Sequence, residues 1–79
     1  MERIEISNKL TDIFRKIFID ESLTISDGLT ANDVNSWDSL THMLLITEVE
    51  SVFSIKFKLK ELNKMHKVGD MIDIIITKL

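Results

Sequence analysis

The sequence predicts an all-α protein, a small four-helix bundle with three longer helices, a short third helix and a long loop between the first two helices. Apolar residues recur at helical spacing near both ends of the chain and after its middle. A single short alternating segment is present, and one strand without a partner does not make a sheet. Residues 1–79 are expected to form one small domain of modest stability.

The first segment has the pattern of an amphipathic helix from about residue 3 to residue 18. Its apolar positions repeat at intervals of three and four residues, and its charged residues occupy the opposite side. The apolar set comprises Ile6, Leu10, Ile13, Phe14, Ile17 and Phe18.

Residues 19–36 lose this periodicity and are predicted to form a loop. Asp, Ser, Thr and Asn accumulate there together with Gly28. Loops of this length in small domains are generally functional or packed against the core. The apolar residues expected to hold the loop on the core are Leu23, Ile25, Leu29 and Val34.

The second helix is predicted to begin at Asp38 and to continue to about residue 53. Asp is a favourable N-cap because its carboxylate accepts a hydrogen bond from a free N–H of the first turn and opposes the positive end of the dipole. The apolar face is broad, which predicts contact with more than one neighbour. The residues assigned to this face are Leu40, Met43, Leu44, Ile46, Thr47, Val49 and Phe53.

Residues 54–58 alternate like a strand but are predicted to be an extended connector. Leu59, Leu62 and Met65 indicate a short third helix, and a last helix is predicted to start near Lys67. Lys67 has no side-chain acceptor, so weak capping of the last helix and a locally mobile third helix are expected. The apolar positions of the last helix are Val68, Met71, Ile72, Ile75 and Leu79.

Charge is distributed unevenly in a chain whose formal net charge is -3. Residues 17–55 contain seven acids and no Lys or Arg, whereas residues 56–67 contain five lysines and one glutamate. An acidic central half argues against nucleic acid as a partner. The lack of a long apolar run and of a leader pattern predicts a soluble, cytoplasmic protein without a membrane partner.

A hydrolase has to be considered, because Asp38, Ser39 and His42 place an acid, a nucleophile and a base within one helical turn. A triad needs a base held by a third group and an oxyanion hole, and the chain has no G-x-S-x-G elbow. A non-catalytic protein without a metal site is therefore expected. His42 is expected at the surface or in a partner contact, and His66 in solvent or near a helix cap.

Trp37, the single tryptophan, has two interpretations. It either packs the loop onto the bundle or stands partly exposed beside Ser39 and touches partners, and packing is favoured because aromatic side chains are often buried.

Ser39 is best placed for modification by another enzyme, because a phosphate there would lie near free N–H groups at a helix start. Around it, the chain resembles the acyl carrier proteins over essentially its whole length. The residues that carry the resemblance are Asp38-Ser39-Leu40 after a long loop, then Leu45, Val49, Glu50, Phe53 and Ser54-Ile55, and finally residues 68–75, VGDMIDII.

This resemblance implies that Ser39 receives 4′-phosphopantetheine from coenzyme A through a separate phosphopantetheinyl transferase. The terminal thiol of the arm would then carry an acyl or aminoacyl group as a thioester for acyl-loading and acyl-using enzymes. In the family, the residue matching Asp38 helps bind the magnesium of the transferase, and the one matching Leu40 makes an apolar contact with it. A monomeric carrier is expected.

The resemblance also suggests two further surfaces. In the family the helix after the serine recognises partners, and the candidates here are His42, Met43, Glu48 and Glu50. A carried chain can enter a cleft between the second and third helices, although the matching residues would equally fill a core. The pocket candidates are Ile46, Val49, Phe57, Leu62, Met65 and Met71.

The pathway is indicated by departures from the fatty-acid carriers. Thr41, His42 and Leu44 stand where those carriers have polar or acidic residues. The W-D-S-L-T-H run, with Asp33-Val34 before it, resembles stand-alone carriers of specialised pathways. Fatty-acid synthesis is the alternative, and an unmodified helical interaction module is a second one.

Overall fold

The computed structural model describes residues 1–79, and its regular structure is helical. No strand is present, which confirms the predicted all-α fold. None of the helices has the length and apolar composition that crossing a membrane requires. The helices are α1 (Arg3–Phe18), α2 (Ser39–Phe53), α3 (Leu59–Leu62) and α4 (Val68–Lys78).

The apolar faces of the three longer helices meet in one continuous core. α1 packs against both α2 and α4, and no polar or charged residue is buried. Because each helix contributes residues three or four positions apart, one apolar stripe per helix is removed from water. The core cluster has 13 members: Ile6, Leu10, Ile13, Phe14, Leu45, Ile46, Val49, Phe53, Ile55, Val68, Met71, Ile72 and Ile75.

The start of α2 is fixed by the predicted cap. Asp38 Oδ1 accepts a hydrogen bond from the Thr41 N–H at 2.9 Å, and the Thr41 hydroxyl oxygen accepts one from the Asp38 N–H at 2.8 Å. Two backbone groups are thereby satisfied reciprocally, as in a capping box. α2 therefore begins at Ser39, one residue after its cap.

The long loop contains a short 3-10 helix at Ala31–Asp33 that the sequence did not predict. Thr30 precedes it, and the Asp33 carboxylate accepts a hydrogen bond from the Thr30 N–H at 3.0 Å. This turn is stabilised by polar contacts over three residues, so it leaves no trace in the apolar periodicity used to recognise helices.

Three of the four apolar loop residues hold the loop on the bundle as expected. Leu23, Ile25 and Leu29 are partly buried against the core, whereas Val34 is partly buried but does not belong to that group. The loop therefore follows the surface of the bundle instead of projecting from it.

The expectation of weak capping at α4 is wrong, because the cap comes from the loop. The Val68 N–H donates to the Leu29 carbonyl at 2.9 Å, and the Gly69 N–H donates to the Asp27 carbonyl at 2.9 Å. Lys67 indeed makes no side-chain cap hydrogen bond. Backbone carbonyls distant in sequence thus satisfy the free N–H groups of the first turn.

Arg3 reinforces this junction from the first helix. Its guanidinium contacts Asp27 in the loop and Asp73 in α4, each at 2.8 Å. The hydrogen bonds to Asp73 and then to Asp27 raise the pKa of Arg3 above its usual value. All three side chains are substantially exposed, so the contribution of the pairs to the free energy of folding is small, and their effect is to define the loop position.

The third helix is shorter than the sequence predicted. α3 ends at Leu62, and Met65 lies in the turn that follows it. Glu61 holds α3 in place, since its carboxylate accepts from the Lys58 N–H at 2.7 Å and pairs with the Lys78 ammonium at 2.8 Å. The connector at residues 54–58 contains no strand, as predicted.

The close approach of Gly69 to the loop gives a stability prediction. A Cβ at residue 69 would lie 3.0 Å from the Asp27 carbonyl oxygen and 3.1 Å from its Cβ. Gly69→Ala should therefore lower the free energy of unfolding by about 1 kcal/mol, because overpacking at a fixed backbone outweighs the better helix propensity of Ala. Chemical denaturation of both proteins measures the difference.

Gly28→Ala is the matched control, since a Cβ there meets nothing within 4 Å. It should leave stability unchanged or slightly raised. A Gly69→Ala protein as stable as the Gly28→Ala protein would contradict the tight loop contact.

Candidate functional site

Ser39 occupies the exposed first position of α2. Its hydroxyl makes no hydrogen bond to another group of the protein, whereas the neighbouring Asp38 is engaged as the cap. The hydrogen bonds from Thr41, first from its backbone N–H and then from its hydroxyl, lower the pKa of Asp38. The site thus offers a free primary hydroxyl beside a carboxylate that is held ionised.

Trp37 packs onto α1, as favoured from the sequence. Its ring lies edge-on to Phe14, with centroids 5.3 Å apart, and 5.9 Å from Phe18. Aromatic pairs at these separations and tilts are favourable beyond the area they bury. The residue two positions before Ser39 is therefore anchored to the core.

His42 is bound to Trp37 instead of standing free at the surface. The indole Nε1–H donates to His42 Nδ1 at 3.0 Å, and the two rings are inclined by only 21°. The side chain is half-buried, and this burial lowers the pKa of His42. Part of the imidazole therefore completes the packing of the loop, while the expected partner contact of His42 stays a prediction.

A groove open to solvent adjoins Ser39, with a cavity volume of about 370 Å³. It lies where the end of the loop and the start of α2 face the turn before α4. Sequence reasoning missed two of its residues, Ala31 and His66, because their proximity to Ser39 depends on how the loop and that turn pack. The lining residues are Ala31, Trp37, Asp38, Ser39, His42, Met65 and His66.

The two acidic recognition candidates on α2 have partners within the chain. Glu48 pairs with Lys16 of α1 at 2.8 Å, and the Glu50 carboxylate accepts a hydrogen bond from the Phe57 N–H at 2.8 Å. Both acids are partly buried. They connect α2 to α1 and to the connector, so they are not freely displayed charges.

The outward face of α2 next to Ser39 is apolar. Leu40, Met43 and Leu44 are 72%, 55% and 51% exposed, respectively. The prediction that the apolar breadth of this helix reflects contacts with several neighbours is wrong for these residues. We call them the apolar strip of α2.

The six pocket candidates lie in or against the core. Ile46, Val49 and Met71 are buried, and Phe57, Leu62 and Met65 pack partly buried around them. Met65 alone of the six lines the groove beside Ser39.

The structure contains no group of three or more His, Cys, Asp or Glu residues that could hold a metal ion. His66 is exposed, and its backbone N–H donates to the Asp70 carboxylate at 3.1 Å beside the start of α4. Its predicted position near a helix cap is confirmed.

Comparison with solved structures identifies the fold. The solution NMR structure of a holo acyl carrier protein from Geobacter metallireducens is similar to this chain with a TM-score of 0.87 and 44% sequence identity. The match covers 91% of this chain and 83% of the other. The chain belongs to the acyl carrier protein family. No protein-family model and no curated protein matches it.

Membership in the acyl carrier protein family accounts for the arrangement as a whole. The similarity extends over the helical bundle and not over a short motif, and it supports a carrier role for the protein. The predicted family and fold are confirmed, and the hydrogen-bonded pair at Trp37 and His42 is a local feature that the family name alone does not specify.

Acidification should break the Trp37–His42 hydrogen bond, because a protonated Nδ1 cannot accept from the indole N–H. The folded pKa of His42 lies below its usual value of about 6.5. Between the folded pKa and about 6.5, the unfolded chain binds more protons than the folded protein does. The free energy of unfolding should therefore fall as the pH is lowered below about 6.5 and level off below the folded pKa.

The shift of the indole Hε1 resonance and the tryptophan fluorescence, followed against pH, measure this change. His42→Gln retains an acceptor that does not titrate, and it should remove most of the pH dependence. An identical profile in the variant would contradict the assignment to His42.

Proposed function

We propose that Ser39 carries 4′-phosphopantetheine and that the protein delivers an acyl or aminoacyl group to partner enzymes on this arm, as a monomer in the cytoplasm. The observation that carries the proposal is the exposed, unbonded Ser39 hydroxyl at the start of α2 in a chain similar to a holo acyl carrier protein.

The residues around Ser39 fit such an arm. The hydroxyl is open to a transferase, and the adjoining groove of about 370 Å³ combines polar and apolar walls, as a chain of amide and methylene groups requires. When bound, the arm supplies the thiol that this cysteine-free chain lacks, and an acyl group is held on it as a thioester.

Asp38 and Leu40 are the proposed contacts for the phosphopantetheinyl transferase. The pKa of Asp38 is lowered by its cap hydrogen bonds, so its carboxylate is ionised and one oxygen can help bind the magnesium of the transferase. Leu40 offers exposed apolar surface one residue beyond Ser39. Both side chains flank the hydroxyl that would be modified.

Partner recognition is proposed to use the apolar strip of α2 more than charge. Met43 lies within that strip, whereas Glu48 and Glu50 are engaged within the chain. Burial of exposed Leu and Met at a partner surface supplies affinity that does not depend on long-range steering. This feature favours a specialised pathway over fatty-acid synthesis, which remains the alternative.

A longer cargo is proposed to enter between α2 and α3. Ile46, Val49 and Met71 would form the floor, and Phe57, Leu62 and Met65 the movable wall, because the latter are already partly exposed. Two of the six are methionines, whose unbranched side chains repack readily.

Mass spectrometry tests the attachment. Incubation of the protein with coenzyme A and a broad-specificity phosphopantetheinyl transferase should add one phosphopantetheine, and Ser39→Ala should abolish the addition because no other hydroxyl holds the first position of α2. Ser36→Ala changes a nearby exposed serine of the loop and should be modified like the wild type.

Two results would reject the proposal. An unmodified wild-type protein with several active transferases would favour the helical interaction module, in which the surface around His42 and Leu44 binds a partner directly. Modification of Ser39→Ala would place the arm on another residue.

Replacing Leu44 with Gln should slow loading by a partner enzyme about tenfold, because removal of one leucine from an apolar contact costs on the order of 1–2 kcal/mol. Rates of acyl transfer to the holo protein measure the effect at low and high salt. Ile4→Gln, an exposed apolar residue of α1, is the control and should load normally. Strong salt dependence together with a normal rate for Leu44→Gln would show that charge dominates docking.

A further inference from the structure

The His42 side chain makes one hydrogen bond through one ring nitrogen, and its other ring nitrogen has no partner in the protein. Trp37 Nε1–H donates to Nδ1 at 3.0 Å, and Trp37 is itself packed on Phe14 and Phe18. The imidazole is therefore held from one side by a residue anchored to the core. Nε2 has no hydrogen-bond partner in the protein, although the side chain is half-buried.

The hydrogen bond to Trp37 also determines which nitrogen carries the proton. A neutral imidazole whose Nδ1 accepts a hydrogen bond has its proton on Nε2. Burial favours the neutral form. At neutral pH, His42 is thus a donor through Nε2–H, without a positive charge.

His42 lies close to the modified position. Ser39 and His42 are three residues apart on α2, so their side chains are neighbours on the helix surface, and both line the same groove. No Lys or Arg lines that groove, and Thr41 already binds the Asp38 carboxylate. Two imidazoles, His42 and His66, line the groove, and His42 is the one that a hydrogen bond from Trp37 holds in place, whereas His66 is exposed.

We propose that His42 is a positioning residue for the arm, whose Nε2–H donates to a phosphodiester oxygen on Ser39 and directs the arm along the groove, with Trp37 fixing the imidazole. The inference rests on the proposed attachment at Ser39. The inference goes beyond that attachment because it assigns a role to Trp37 and His42, which attachment of the arm does not require.

Nuclear magnetic resonance of the holo protein tests the inference. In the wild type, modification should shift the His42 Nε2 resonance in the ¹⁵N spectrum, and Nδ1 should remain the unprotonated nitrogen before and after. The ³¹P resonance of the phosphodiester should move by more than its linewidth in His42→Ala and return towards the wild-type position in His42→Gln, whose amide can accept from Trp37 and donate to the ester.

Two further variants separate positioning from general disturbance of the groove. Trp37→Phe keeps an aromatic ring on α1 but removes the donor, so its ³¹P resonance should move in the same direction as in His42→Ala. His66→Ala changes the other histidine of the groove, which is exposed, and should move the resonance less than His42→Ala does; an equal movement would overturn the specific role of His42.

The outcomes distinguish this inference from the function on which it rests. If mass spectrometry shows one arm on Ser39 but the ³¹P and Nε2 resonances do not respond, the positioning role is overturned and the carrier function stands. If His42→Ala fails to fold, the wild-type Nε2 comparison and His42→Gln still decide the question. If Ser39 takes no arm, both proposals fail together.

Discussion

The site depends on two backbone hydrogen bonds that join the long loop to the start of α4. The loop carbonyls of Asp27 and Leu29 accept from the first N–H groups of that helix, so groups that would otherwise lack partners satisfy one another. Once these hydrogen bonds hold the loop, the end of the loop packs on α1 through the contact between Trp37 and Phe14. α2 then begins at an exposed serine whose surroundings are fixed by the fold.

On α2, two acidic side chains are engaged within the bundle, and three apolar side chains are exposed to solvent. Its acids, Glu48 and Glu50, bind groups of α1 and of the connector, while the apolar strip faces solvent beside Ser39. Carboxylates that are partly buried and hydrogen-bonded stabilise the arrangement of the bundle, whereas exposed carboxylates would mainly steer partners. The exposed apolar strip beside Ser39 is thus the main feature that this face of α2 presents to solvent.

Features that depend on neighbouring residues were predictable from the sequence, and those that depend on distant contacts were not. The helical spacing of α1 and the Asp38 cap act within a few residues, so their positions were predicted closely. The cap of α4 comes from Leu29, far away in the chain, and Lys67 gave no sign of it. Likewise, their positions at the predicted helix start singled out Ser39 and His42, but only the packing of Trp37 shows that the imidazole is fixed.

The pair formed by Glu61 and Lys78 connects α3 to the last turn of α4 across the protein. With side-chain exposures of 20% and 17%, it is screened less by salt than the other ion pairs. Lys78 lowers the pKa of Glu61, in keeping with a favourable contact. An outward movement of α3 would therefore have to break an ion pair at the end of α4 as well as the apolar contacts of α3.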